Sequence, residues 1–142
     1  MNQILSADHE DSLKELLNIS MGQAACKLAM LSNHPVTLTV PSVDLASPER
    51  LMEMFGDLDE YYFTRQPFFG QMAGEVITQL TKQGGRTLAG ELLALNDEDA
   101  MDSQTFKDCL LEISNILSGA SLRGLCEQIQ LATRTQPPVM YS

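Results

Sequence analysis

Glu15 and Asn18, and again Glu112 and Asn115, place a carboxylate three residues before a carboxamide at two points of a 142-residue chain. A carboxylate can only accept hydrogen bonds and so anchors a cationic group, while a carboxamide offers one donor end and one acceptor end and can hold a water in one orientation. Neither pair has a histidine or nucleophilic serine arranged beside it for acyl transfer. The sequence also carries no P-loop, no His-rich metal cluster and no nicotinamide fingerprint. The pair suits hydrolysis of a phosphoryl group whose Mg²⁺ and charged surroundings a partner supplies, because that reaction depends chiefly on positioning and electrostatics. The competing reading is a solvated helix face repeated by gene duplication alone.

The two pairs belong to a longer repeat. Asp11, Leu13, Glu15, Asn18, Ile19, Gly22, Leu28 and Pro41 recur 97 positions later as Asp108, Leu110, Glu112, Asn115, Ile116, Gly119, Leu125 and Pro138. A repeat that kept only core residues would report architecture; this one also keeps an acid and an amide that packing does not require. Asp11, Glu15, Asn18 and Gly22, like Asp108, Glu112, Asn115 and Gly119, have spacings that fall on one stripe of a helix, away from the leucines expected to dock on a sheet. Glycine inside a helix costs roughly 1 kcal/mol relative to alanine, so Gly22 and Gly119 predict close approach of another backbone, either the sister helix or a docking protein.

The elements that must carry these stripes are legible from periodicity. Apolar spacing predicts a long helix from about Asp8 to Leu31, closed by Ser-Asn-His-Pro at 32–35. Val36, Leu38 and Val40 alternate with Thr37 and Thr39 and predict a strand limited by Pro41. A short helix follows, with Ser47 as N-cap, Pro48 at its first position and Gly56 as stop. YYFTRQPFF and MAGEVITQLT predict a hairpin, Gly84-Gly85 a turn, RTLAGELLALN a helix, and NDEDAMD a solvated connection. A second long helix runs from near Ser103 to about Gln128, and the tail begins a strand matching the first copy's. The fold class is α+β: two long pseudo-symmetric helices on a mostly antiparallel sheet, in a single domain over 1–142. Its first copy spans about 8–100 and its shortened second copy about 103–142.

Composition narrows the partners. The hydrophobic content of 44% is that of a folded globule, and the formal net charge of −10 argues against unassisted binding to nucleic acid or an anionic membrane. MNQILSADHED lacks the basic lead and apolar run of a signal peptide, and no stretch approaches the roughly 18 apolar residues of a membrane span. A cytoplasmic location is expected. Cys26, Cys109 and Cys126 form no C-x-x-C and read as small apolar helix residues, and His9 and His34 read as structural.

The pattern [DS]-x3-E-x2-N-x22-P, complete from Asp11 to Pro41 and again from Asp108 to Pro138, resembles the signature of the CheC, CheX and FliY phosphatases of bacterial chemotaxis. DSLKELLNISMGQAACKLA resembles the first family helix, FKDCLLEISNILSGASLRGL the second, and GQMAGEVITQLTKQGGRTLAGELLA the segment between. Two intact copies favour a CheC-like over a CheX-like protein. The resemblance implies a phosphatase acting on the phosphoaspartate of a CheY-like response regulator. Asn18 and Asn115 would then orient the attacking water, and Glu15 and Glu112 would pair with the receiver's lysine. Asp11, Gly22 and Pro41, with Asp108, Gly119 and Pro138, would support them. It implies no cofactor in this chain, with Mg²⁺ on the receiver. Two other readings stand beside the enzyme: a binding module for a receiver domain or a CheD-like deamidase, and a flagellar-switch-like assembly subunit. Family sheets continue past the second proline, so the expectation is either a longer natural chain or a homodimer completing the sheet.

Overall fold

The computed structural model describes residues 6–38, 42–93 and 102–141. Helix α1 (Ala7–Ser32) starts where the Ser6 hydroxyl accepts the His9 N–H, and it ends at left-handed Asn33, whose N–H donates to the Ala29 carbonyl. Helix α2 (Pro48–Met54) has the expected Ser47 cap and leading proline. Strands β1 (Tyr61–Gly70) and β2 (Gly74–Thr81) form the expected antiparallel hairpin, in register from Tyr61 opposite Thr81 to Phe68 opposite Gly74. Helix α3 (Lys82–Leu92) and helix α4 (Ser103–Gln128) follow, then the short strands β3 (Thr133–Thr135) and β4 (Val139–Met140).

Two local expectations are corrected. Gly84 and Gly85 lie inside α3 rather than in a turn, because the Thr81 hydroxyl caps the helix by accepting the Gly84 N–H. Gly85 is buried so tightly that an added Cβ would stand 3.1 Å from the Tyr62 ring and 3.4 Å from Leu110, so the contact offsets the glycine's poor helix propensity. The alternation at 36–45 does not make a strand in the part described: Val36–Leu38 and Ser42–Leu45 are irregular, while Thr39–Pro41 lie outside the described residues. Val36 and Leu38 instead pack on the helical core, which accounts for their apolar character without pairing. All of NDEDAMD except Asp102 also lies outside the described residues.

In the sheet, β2 lies on one edge of β1, and β3 and β4 share the other, all antiparallel. Phe68 faces Thr135 and Arg65 faces Val139, so two residues of β1 oppose three, Gln136 to Pro138. This is a bulge, and Pro137 and Pro138, which have no N–H to give a ladder, occupy it without loss. The expected tail strand therefore exists in two pieces. The even-numbered side chains of β1 face α4, where Tyr62 meets Phe106 edge-on at 5.2 Å between ring centroids. The opposite face receives Phe55, just past α2, on Phe63 at 5.7 Å.

The core joins Leu28 of α1, Ala89 of α3 and Cys109, Leu110 and Ile113 of α4. The sequence placed the leucines of both long helices on the sheet. In the structure α4 touches β1, β2 and β4, while α1 packs chiefly on α4 and α3. Small residues permit that crossing: a Cβ at Gly124 would come within 2.7 Å of the Ser20 Cβ and would strike its hydroxyl, which donates to the Leu16 carbonyl at 3.1 Å. Gly124→Ala should therefore overpack the crossing and destabilise the fold by about 1–3 kcal/mol, and Ser20→Gly in the same chain should recover part of it. Urea titrations of the single and double variants decide this; a neutral Gly124→Ala would mean that the helices separate freely.

Helix α4 begins at Asp102, whose carboxylate accepts from the Thr105 N–H and hydroxyl, each at 2.8 Å. The backbone bond, then the hydroxyl, holds its pKa below the ordinary value. A depressed carboxylate stabilises the fold fully above its unfolded pKa and loses that contribution as pH falls through the lower folded value. Acid should therefore lower the melting temperature more steeply in wild type than in Asp102→Asn, which keeps a cap acceptor without the charge. Parallel slopes in melts taken below neutral pH would contradict this.

Candidate functional site

Both stripes lie on the outer faces of their helices. Asp11, Glu15, Asn18 and Gly22 are exposed on α1, and Asp108, Glu112 and Asn115 are exposed on α4, with Gly119 half-buried. The core side of α4 is formed by Leu110, Ile113, Ser114 and Ser118, all essentially inaccessible. Asp11 and Asp108 lie inside their helices: the first turn of α1 carries Asp8 and Glu10, and Asp102 caps α4. Asp108 accepts a 2.9 Å hydrogen bond from the Gln104 side chain. Pro138 sits in the bulge between β3 and β4, and Pro41 is among the residues outside the description.

The long helices run antiparallel: Ser20 of α1 meets Gly124 of α4, whereas residues further along α1 meet earlier residues of α4. The two stripes therefore occupy opposite ends of the helix pair. At the α4 stripe this produces an open groove of about 500 Å³. Glu112, Asn115, Gly119 and Arg123 form one wall, Lys27, Met30 and Leu31 of α1 the other, and Thr135 of β3 closes one side. Met30 is 83% exposed and Leu31 53%, so the mouth combines apolar surface with cations and one carboxylate. Leu31, at the end of the apolar periodicity of α1, lines the groove rather than the core.

Beneath Asn115 lies a residue that the motif does not contain. Gln66 of β1 is 2% exposed, and its Nε2 donates to Asn115 Oδ1 at 2.9 Å and to the Gln136 carbonyl at 2.8 Å. Its Oε1 is buried with no hydrogen-bond partner among the described residues. The signal for Gln66 was present in YYFTRQPFF, where Tyr62, Thr64, Gln66 and Phe68 share one strand face. A glutamine on an inward face needs a partner.

The glycines of the stripe do not serve the helix pair. Among the described residues, an added Cβ at Gly22 would meet nothing within 4 Å, and at Gly119 only the Arg123 guanidinium at 3.8 Å. Gly124, outside the repeat, is the close-contact glycine. Among the described residues, the sister helix is therefore not the close-approaching backbone expected at Gly22 and Gly119.

Cys109 is buried one turn before Glu112 on α4; burial, with the Glu112 charge second, pushes its thiol pKa up, so it remains protonated and is no nucleophile. Cys126 is buried too, whereas Cys26 is exposed and is no core residue. His34 Nε2 lies 3.6 Å from a Glu91 carboxylate oxygen, both exposed. Among the described residues no group of three or more His, Cys, Asp or Glu could hold a metal ion, and no helix is long and apolar enough to cross a membrane.

No protein-family model matches the chain. The CheY-P phosphatase CheC of Bacillus subtilis is 27% identical over 133 residues, which cover 89% of this chain and 63% of that protein. The chain thus spans less than two thirds of that relative's length. Among solved structures, FliY of Thermotoga maritima superposes with a TM-score of 0.80 at 20% identity, covering 98% of this chain and 70% of that one. The Borrelia burgdorferi CheX–CheY–BeF3–Mg²⁺ complex matches with a TM-score of 0.50 at 16% identity, over 86% of this chain and 73% of that one. These two likenesses establish the fold: α+β, CheC-like, with an antiparallel sheet.

Proposed function

We propose that this chain, which belongs with the CheC, CheX and FliY proteins, is a phosphatase that hydrolyses the phosphoaspartate of a CheY-like receiver domain. The observation that carries the reading is the Asn115 groove: an exposed carboxamide one turn from Glu112, on a rigid helix, at a mouth flanked by Met30, Leu31, Lys27 and Arg123. Apolar residues beside fixed polar ones are what a protein partner docks against.

In this reading the receiver docks over α4 and brings its acyl phosphate, its Mg²⁺ and its lysine. Glu112 accepts a charge-assisted hydrogen bond from the lysine, which fixes the register of the two proteins. Asn115 reaches the phosphorus and holds a water opposite the carboxylate leaving group. The water oxygen bonds to phosphorus as the P–O bond to the aspartate breaks, the water proton passes to a phosphate oxygen or to solvent, and free carboxylate and inorganic phosphate leave. The chain contributes position and a preorganised dipole rather than a nucleophile, so no intermediate forms on it. Glu15 and Asn18 repeat the arrangement on α1 at the other end of the helix pair.

The test is the decay of phosphate on a purified CheY-like receiver with and without this protein. Faster decay, rising to a plateau with protein concentration, supports the enzyme. Saturable binding to the phosphorylated receiver with unchanged decay would replace it with the binding-module reading, and a CheD-like deamidase would then be the next partner to try.

A further inference from the structure

We infer that Gln66 is the positioning residue of the Asn115 site and fixes which end of the Asn115 carboxamide meets a ligand. The inference rests on the phosphatase reading for its consequence and on hydrogen-bond logic for its geometry.

The Gln136 carbonyl can only accept, so the atom of Gln66 that lies 2.8 Å from it must be the NH2 group. That same nitrogen lies 2.9 Å from the Asn115 side chain, and because an amide NH2 cannot accept, the atom facing it must be Asn115 Oδ1. One backbone carbonyl thereby sets the orientation of two amides in series. The rest of the Asn115 carboxamide is left for the groove: the Nδ2 donor and the second lone pair of Oδ1. These two functions are those needed to donate to a phosphoryl or water oxygen and to accept a water proton.

The arrangement also explains the bulge. Three residues opposite two in β1 turn the Gln136 carbonyl under the sheet instead of into the ladder, while the Gln136 N–H donates to the Pro67 carbonyl at 3.0 Å. Pro138 is thus connected to the site: the motif proline helps form the bulge whose carbonyl orients Gln66, and Gln66 orients the motif asparagine.

The test uses Gln66→Leu, Gln66→Glu and Asn115→Ala in the full chain. Gln66→Leu keeps the volume and removes the donor. Gln66→Glu keeps the shape but offers Asn115 an acceptor, which pulls Nδ2 inward and turns Oδ1 outward. With the α1 site silenced by Asn18→Ala, single-turnover decay of receiver phosphate against protein concentration should show the plateau rate falling about tenfold or more for both Gln66 variants, with half-saturation unchanged. With Asn18 intact, adding Gln66→Leu to Asn115→Ala should cost nothing further, because the α4 site is already silent. An unchanged plateau, or losses that multiply in the double variant, would overturn the inference. If wild type gives no acceleration, the phosphatase reading falls while the geometry stays testable by ¹⁵N relaxation of the Asn115 side-chain amide. That amide should be rigid in wild type and mobile in Gln66→Leu, and equal order in the two would remove Gln66 as its positioner.

Discussion

Replacing Asn18 and Asn115 together by alanine is expected to abolish the acceleration of receiver-phosphate decay while leaving the fold intact. Each asparagine is exposed on a long helix whose opposite face is buried, so truncation opens no cavity in the core. Alanine is the better helix former, which works against any loss of helix stability. Removing Asn115 leaves one Gln66 N–H without its partner at the floor of an open groove, where water can replace it. Chemistry has no such substitute. Losing a preorganised donor or acceptor at a reacting centre typically costs on the order of 10²-fold or more. The assay pairs a decay time course with a thermal melt, and the single variants divide the work between α1 and α4. A folded double variant with undiminished acceleration would remove both asparagines from the mechanism.

The second large effect lies in the core. Leu110 is 0% exposed, sits between Leu28, Ala89 and Ile113, and has Gly85 of α3 pressed against its side chain. Leu110→Ala removes three heavy atoms from the point where α1, α3 and α4 meet, and the backbone at Gly85 cannot follow a single side chain inward. A loss of about 2–5 kcal/mol is expected, the range for large-to-small changes where the surroundings do not collapse. For a chain of this size that corresponds to a fall of roughly 10 °C in melting temperature. Urea unfolding should show a lower midpoint with an unchanged slope. A loss below about 1 kcal/mol would mean that Tyr62 and Phe106, already packed edge-on beside the site, move in to fill it.

Sequence reasoning reached the helices and the hairpin because their information is local. Apolar spacing reached α1 and α4 nearly to the residue, and Ser47 with Pro48 marked the start of α2. It failed where tertiary contact overrode a local signal. Gly84-Gly85 reads as a turn, yet Thr81 caps a helix there and Tyr62 fills the space a side chain would need. Val36 and Leu38 alternate like a strand but are apolar because they meet the helical core. In the candidate site, Glu112 and Asn115 were found by repetition, which here keeps residues that packing does not require. Gln66 has no repeat to mark it and acts through a bond to a residue 49 positions away. Gly124 was missed for the same reason: its need for smallness comes from Ser20 on the other helix.

The strand that carries the Gln136 carbonyl is joined to β1 by three residues of β3 and two of β4, on either side of the bulge. The helix it serves, in contrast, is anchored by Leu110 and Ile113. Such unequal anchoring predicts that the strand opens at a lower free energy than the helices, which amide exchange of the two segments would read. Partial unzipping of that edge would release Gln66, and with it Asn115, while α1 and α4 stayed docked. On the Gln66 inference, the order of the Asn115 amide follows the local stability of a short strand, and loss of site geometry would precede loss of the fold.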